Sequence, residues 1–180
     1  MTLKNNLADT YRLFPNTPPR VIQALLLHVL GVDDISHLVI SQTPLTPQQM
    51  ENLQKCVDEH AQGRPLEYIT KKCGFYAMEF IVSESVLIPR IETELLVEIA
   101  IKEIGNKKCK VLDLCTGSGA IAVAVAQHCP NAEILAIDIS PQALEVCRQN
   151  IEKFNLQTQM DAVQMNVLEK IPSGFFDSIL

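Results

Sequence analysis

The chain has 180 residues, of which 47% are hydrophobic and 20% are charged. This size and composition allow one or two domains with a buried core. A net charge of −6 argues against a nucleic-acid substrate, because phosphate binding needs clustered basic side chains. The sequence has neither a signal-peptide pattern nor an apolar run near the roughly 20 residues of a membrane span. We therefore expect a cytoplasmic protein that is not bound to a membrane.

Six cysteines and four histidines are scattered along the chain. No C-x-x-C pair occurs, and the histidines lack the spacing of metal ligands. We expect reduced, mostly buried thiols and no metal site. The cysteines are Cys56, Cys73, Cys109, Cys115, Cys129 and Cys147.

Residues 1–62 are predicted to form a small helical domain. The apolar run at residues 21–30 predicts a helix that stops at Gly31. A second helix should begin with Thr46 as its N-cap and Pro47 at its first position. The domain is either a packing or dimerisation element or a docking module for a protein substrate, and sequence alone leaves both open.

Residues 63–92 contain three short runs that are rich in β-forming residues. They are G-R-P-L-E-Y-I at 63–69, F-Y-A-M-E-F-I-V at 75–82 and V-L-I-P-R at 86–90. Gly74 and Pro89 interrupt them. We predict a β-hairpin linker between two domains.

Residues 93–180 alternate predicted helices with predicted strands. This order indicates an α/β fold with a parallel, doubly wound sheet. Because such a sheet rarely ends at its fourth strand, the sequence also suggests a fragment of a longer protein. Helices are expected from about Thr93, after Gly119 and over 141–154, and strands over 110–114, 133–138, 162–166 and the final F-F-D-S-I-L.

The most informative segment is V-L-D-L-C-T-G-S-G at residues 111–119. Its last five residues, 115–119, are called the glycine turn below. Gly117 and Gly119 let the backbone take positive φ and approach a ligand closely, and the helix that follows directs free N–H groups at it. Asp113 would repel a pyrophosphate but attract an ammonium group, such as that of S-adenosylmethionine. The segment therefore favours a methyltransferase.

A second acid, Asp138, closes the next predicted strand 19 residues after Gly119, close to where the ribose-binding acid of a nucleotide fold belongs. This residue suits adenosylmethionine and NAD equally. Asn166 ends the third predicted strand, where its amide could reach the adenine edge. Capping a turn is an equally good role for Asn166.

Rival interpretations stay open at this point. G-S-G-A-I-A also matches the dinucleotide pattern G-x-G-x-x-A, which favours an NAD-dependent oxidoreductase. Asp113 and the absence of a glycine at Cys115 argue against it. A tight strand-to-helix connection without any ligand, in a non-catalytic binding module, is the remaining alternative.

Several motifs together resemble the HemK/PrmC family of protein-glutamine methyltransferases. They are V-L-I-P-R-I-E-T-E at 86–94, V-L-D-L-C-T-G-S-G-A-I-A at 111–122 and A-I-D-I-S-P-Q-A-L at 136–144. The resemblance implies a helical domain, a β-hairpin linker and a class I methyltransferase domain that uses S-adenosylmethionine. It also implies a substrate: the side-chain amide of the glutamine in the Gly-Gly-Gln motif of peptide chain release factors. We expect a monomer.

The residues expected at the cofactor follow from the motifs and this resemblance. Phe75 would lie on the substrate side, although packing within the hairpin is its simpler role. Arg90 and Glu92 could instead form a surface ion pair worth about 0–1 kcal/mol. The expected cofactor-binding residues are Asp113, Thr116, Gly117, Ser118, Gly119, Asp138, Ile139, Asn166, Arg90 and Glu92.

The chain also departs from the family pattern. The family's Asn-Pro-Pro-Tyr motif, which orients the substrate amide, follows the fourth strand and is expected only after Leu180, so we expect the 180 residues alone to be inactive. Because such a motif also serves amino groups of adenine, an adenine methyltransferase is a further alternative. Smaller departures are Lys71, Ile91, Cys115 and Asn166.

Overall fold

A computed structural model of the chain describes residues 7–34, 36, 45–170, 172–174 and 176–180. The chain divides into two compact units, Met1–Thr70 and Lys71–Leu180. The boundaries expected from the sequence, after residues 62 and 92, stay predictions.

The first unit is helical in its described part. Its elements are α1 (Leu7–Leu13), α2 (Pro19–Leu30), α3 (Pro47–Ala61) and α4 (Leu66–Thr70). They enclose a core that includes Ile22, Leu25 and Leu53, each fully buried. None of the helices in the described ranges is long and apolar enough to cross a membrane.

Local signals explain where these helices begin and end. The Thr46 hydroxyl accepts from the Gln49 N–H over 3.2 Å, and the Gln49 side chain accepts from the Thr46 N–H over 2.9 Å. This capping box confirms the predicted start of α3. Helix α2 ends at Gly31, whose φ of 66° suits glycine, as predicted.

Two of the three β-prone runs form no strand. Helix α4 overlaps the first β-prone run because Pro65 starts a helical turn, its carbonyl accepting from the Tyr68 and Ile69 N–H groups. The packing of Ile69 into the helical core overrides strand propensity. Residues 86–90 form no strand, and Pro89 has no N–H for a ladder.

The hairpin is confirmed in the second unit. It comprises β1 (Lys72–Phe75) and β2 (Met78–Ile81), paired antiparallel with Phe75 opposite Met78. The two turn residues, Tyr76 and Ala77, have φ of 51° and 55°. Positive φ at both positions is the geometry of a type I′ turn, which matches the twist of the strands.

A parallel four-stranded sheet forms the rest of the second unit, as predicted. After a 3₁₀ turn (Ile91–Thr93), the elements are α5 (Glu94–Ile104), β3 (Cys109–Leu114), α6 (Ala120–His128), β4 (Ala132–Asp138), α7 (Pro141–Lys153), β5 (Met160–Gln164) and β6 (Ser178–Ile179). The strand order in the sheet is β5-β4-β3-β6. Strand β5 begins and ends two residues earlier than expected, so Asn166 lies beyond it.

The core of this unit lies between the sheet and the helices. One face of β3 and β4 contributes Val111, Ile134 and Ala136, and α5 contributes Val97. Helix α6 is apolar almost all round, with six buried residues in nine, so it can be enclosed by its neighbours. The hairpin adds Phe75 and Phe80 to the same core.

Helix α6 begins unusually close to α7. A Cβ on Gly119 would stand 2.7 Å from the Cys147 Sγ atom, inside van der Waals contact, and Gly119 has a φ of 78°. Cys147 is itself completely buried. Two independent constraints, space and backbone conformation, therefore require glycine at this position.

Gly119→Ala should destabilise the second unit by about 2–4 kcal/mol, because it adds both a clash and a strained φ. Gly117→Ala is the matched control: Gly117 also has positive φ, but its nearest atom to a Cβ is the Cys115 carbonyl oxygen at 4.0 Å. It should lose about 1 kcal/mol. Urea unfolding measures both, and introducing Gly119→Ala into a Cys147→Ala background should recover part of the loss. Equal losses for the two alanine variants would contradict a steric role for Cys147.

Candidate functional site

The candidate site lies where the order of the sheet reverses. Strands β4 and β6 flank β3 on opposite sides, so the chain leaves β3 at a topological switch point. Ligands of open α/β sheets bind at the carboxyl ends of the strands at such a point. The glycine turn follows directly from the carboxyl end of β3.

The sign of φ alternates along the glycine turn. Cys115, Gly117 and Gly119 have φ of 59°, 56° and 78°. Cys115 is exposed and adopts a left-handed conformation that glycine takes without strain. This geometry explains why a glycine is usual at position 115 in the family that the motifs resemble. It also directs the first N–H groups of α6, which have no partners within the helix, towards the end of the sheet.

Asp113 is a buried acid at the end of β3. It is only 2% exposed, and its Oδ2 atom accepts a hydrogen bond from the Thr116 hydroxyl over 2.5 Å. Burial raises the pKa of Asp113 to about 6, the Thr116 hydrogen bond opposes the rise, and the negative charge of Asp138 adds to it. Neighbouring groups thus do not compensate the negative charge of the ionised carboxylate, and a nearby ammonium group would do so.

Asp138 ties the ends of β3 and β4 together. Its Oδ2 atom accepts from the Gly117 N–H over 2.9 Å, and its Oδ1 atom accepts from the Ser140 N–H over 2.9 Å. These two bonds fix the orientation of the carboxylate. Each oxygen keeps capacity for a further hydrogen bond, so a pair of ribose hydroxyls is compatible with this geometry.

A cavity of about 160 Å³ opens beside the glycine turn. Pockets that enclose a whole small molecule measure roughly 300 Å³ or more, so this one suits one end of a cofactor. One wall is the glycine turn with the start of α6, and the other is Phe75 with residues 87–90. The structure thus brings together five of the expected site residues: Phe75, Arg90, Thr116, Gly117 and Ser118.

Other expected residues do not line this cavity. Asp113 is not among the lining residues, but its carboxylate accepts from the hydroxyl of Thr116, which is. Ile139 is exposed next to Asp138, and Glu92 is exposed on the 3₁₀ turn. Asn166 uses both ends of its amide locally: Oδ1 accepts from the Leu168 N–H and Nδ2 donates to Glu169. In this structure Asn166 caps a turn, and its role at adenine stays a prediction.

Sequence reasoning missed two residues that hold the walls of the cavity. Asn150 on α7 is completely buried and hydrogen bonds to both Ile81 and Ser118. The Glu94 carboxylate accepts from the Tyr76 N–H over 2.8 Å at the hairpin turn. Asn150 could have been noticed because it falls on the apolar stripe of α7, with Cys147 and Ile151.

The sheet, its switch point and the glycine turn with its two acids define a class of protein: an α/β domain that binds a nucleotide-like cofactor. The family model for the methyltransferase small domain matches residues 90–180, half of the chain, and the model for the PrmC N-terminal domain matches residues 6–70. The chain belongs to the methyltransferase small-domain family, and its two matched domains are those of the HemK/PrmC proteins that its motifs resemble. The match to a methyltransferase family confirms the expected cofactor, S-adenosylmethionine.

Curated relatives agree with this assignment. A release factor glutamine methyltransferase of Chlorobaculum tepidum is 35% identical over 89% of this chain and 56% of its own length. One from Xylella fastidiosa is 40% identical over 74% of this chain and 49% of its own length. This chain thus spans about half the length of the curated relatives it matches.

A solved structure supports the fold alone. The protein PH0793 of Pyrococcus horikoshii matches 60% of this chain and 40% of its own with a TM-score of 0.50 and 16% identity. At this identity the similarity concerns the arrangement of strands and helices and not the chemistry of a site.

The raised pKa of Asp113 predicts how stability depends on pH. The folded state keeps this proton up to about pH 6, whereas the unfolded state keeps it only up to about pH 3.8. The contribution of the proton to the free energy of unfolding is therefore complete below pH 3.8 and is lost as pH rises through 6. Relative to Asp113→Asn, the wild type should therefore lose on the order of 2–3 kcal/mol between pH 4 and pH 7. Urea unfolding at several pH values measures this difference.

The control for this experiment is Asp161→Asn, which changes an exposed carboxylate on β5. It should keep the pH dependence of the wild type. Identical pH profiles for Asp113→Asn and the wild type would show that Asp113 is not a strained buried acid.

Proposed function

We propose that this chain is the cofactor-binding part of an enzyme that transfers a methyl group from S-adenosylmethionine to the glutamine of the Gly-Gly-Gln motif in peptide chain release factors. The observation that carries the proposal is the succession of a PrmC N-terminal domain and a methyltransferase small domain in one chain. The curated relatives are named release factor glutamine methyltransferases, and these names support a release factor glutamine as the substrate. Such an enzyme would act in the cytoplasm, as a monomer.

The methionine end of the cofactor would lie at the glycine turn. Gly117 leaves open the space that a Cβ would occupy, and Ser118 and the first N–H groups of α6 can receive the carboxylate. Thr116 would stand between the ammonium group and Asp113, whose uncompensated charge favours a cation. A buried carboxylate with a raised pKa fits this group better than it fits a pyrophosphate.

The nucleoside end would extend along the end of β4. Asp138 is oriented by two backbone amides and would accept hydrogen bonds from the ribose hydroxyls. Ile139 is 61% exposed, and covering its side chain with the adenine ring would be favourable. Asn166 would contact the adenine edge only after releasing Glu169 or Leu168.

The substrate would approach from the wall that contains Phe75 and Arg90. Phe75 reaches the cavity from the end of β1 while its ring packs edge-on against Phe80, 6.0 Å away between centroids. Arg90 is exposed on the rim, where it can bind a substrate or cofactor carboxylate or carbonyl. Glu92 would contribute on the same rim.

The rate of this reaction would depend mainly on how the protein orients the substrate amide. Bound S-adenosylmethionine supplies a methyl group on a sulfonium, and the amide nitrogen that receives it is a poor nucleophile. Holding that amide in line and accepting its hydrogen bonds would supply much of the rate. Leu180 is hydrogen bonded to Leu112 and Leu114 at the carboxyl end of β3. An Asn-Pro-Pro-Tyr motif directly after Leu180 would therefore stand beside the glycine turn.

Calorimetric titration of the chain with S-adenosylhomocysteine tests the cofactor site. We expect one site, no binding of NAD, and an affinity at least tenfold weaker in Asp138→Ala, because hydrogen bonds to a charged group are worth about 1.5–3 kcal/mol. Asp161→Ala, at an exposed carboxylate away from the turn, is the control and should bind like the wild type. Binding of NAD in place of S-adenosylhomocysteine would favour the oxidoreductase interpretation.

The substrate is tested with the full-length gene product, labelled S-adenosylmethionine and a release factor. We expect label in the release factor and none when the glutamine of its Gly-Gly-Gln motif is changed to alanine. DNA with unmodified adenine serves as the competing substrate. Label in DNA but not in the release factor would sink the proposal and favour an adenine methyltransferase.

A further inference from the structure

Asn150 has an unusual set of contacts for a side chain in the middle of a helix. It lies on α7, is completely buried and makes three hydrogen bonds. Its Oδ1 atom accepts from the Ile81 N–H over 2.8 Å, and its Nδ2 atom donates to the carbonyls of Ile81 and Ser118, each over 2.9 Å. One amide thus joins three segments that are far apart in sequence.

The bonds to Ile81 resemble the pairing of a strand. Ile81 is the last residue of β2, and Asn150 satisfies both its N–H and its carbonyl, as a neighbouring strand would. This pairing fixes the end of the hairpin along its own direction, which apolar contacts alone would not do. The hairpin's other end is held by the Glu94 carboxylate at the Tyr76 N–H.

The bond to Ser118 reaches the opposite wall of the cavity. Ser118 belongs to the glycine turn and lines the cavity together with Phe75, the last residue of β1. An amide that does not line the cavity therefore joins one wall, at Ser118, to the hairpin that carries the other. Because a buried amide without partners costs about 1–3 kcal/mol, the three segments are held to one relative position.

We propose that Asn150 is a positioning residue of the cofactor site: it sets the spacing between the hairpin and the glycine turn, and thereby the affinity for S-adenosylmethionine. This inference rests on the proposed cofactor site. It goes beyond that proposal by assigning a role in binding to a residue that does not contact the ligand.

Asn150→Asp is the discriminating variant. The side chain keeps its volume and its acceptor for the Ile81 N–H, but an oxygen replaces the Nδ2 donor. If ionised, this oxygen is repelled by both carbonyl oxygens, and if protonated, it can donate to only one of them. The hydrogen bond between residue 150 and the Ser118 carbonyl should therefore be lost. We expect affinity for S-adenosylhomocysteine to fall at least tenfold, measured by calorimetry at a temperature where circular dichroism shows the variant folded.

Ile151→Ala is the matched control for a loss of stability. Ile151 is the next residue on α7, is 4% exposed and belongs to the main core. This variant should lose about 2–4 kcal/mol of stability and keep its affinity within twofold. A similar loss of affinity in Ile151→Ala, or wild-type affinity in folded Asn150→Asp, would overturn the inference.

A second measurement on the wild type does not depend on a variant that folds. The Ile81 N–H is held by Asn150 and does not line the cavity. If Asn150 couples the two walls, binding of S-adenosylhomocysteine should slow hydrogen exchange at the Ile81 amide at least threefold. Unchanged exchange would overturn the inference, and failure of the wild type to bind would overturn the proposed cofactor site together with it.

Discussion

The site depends on how one face of α7 holds the glycine turn. Cys147 and Asn150 are three residues apart on that helix and lie on the same side. Cys147 occupies the space that a side chain at Gly119 would need, and Asn150 bonds the carbonyl of Ser118. Packing thus sets how closely α6 approaches α7, and the hydrogen bond sets the direction in which the turn faces. These two contacts position the glycine turn, which forms one wall of the cavity.

The buried acid Asp113 lowers the stability of the fold in a way that a bound cation would offset. Asp138 is close enough for its charge to raise the pKa of Asp113, and burial adds a larger penalty for the ionised form. A protein selected for stability alone would place a neutral side chain at 113. In the proposed cofactor site the same uncompensated charge would favour a cationic ligand, and binding would offset part of its unfavourable free energy.

Sequence patterns predicted the parallel sheet, the capped helix α3 and the place of the glycine turn, because each rests on local spacing or on a special backbone conformation. They did not predict α4, whose β-forming residues become helical through packing into a core formed by distant helices. They also placed Asn166 at a strand end, whereas β5 ends two residues earlier and Asn166 caps a turn. The role of Asn150 depends on a partner 69 residues away, and no local pattern in a single sequence identifies such a pair.

The hairpin shows why polar contacts matter in a site whose walls are mostly apolar. Phe75 and Phe80 bury the hairpin in the core, and this burial supplies most of the free energy that holds it there. Apolar contacts tolerate small sliding movements, since their energy depends on area and only weakly on direction. Glu94 and Asn150 bond backbone groups at the two ends of the hairpin, and hydrogen bonds weaken steeply when their angles change. Burial therefore decides that the hairpin docks, and two buried or half-buried polar side chains decide where Phe75 stands relative to the glycine turn.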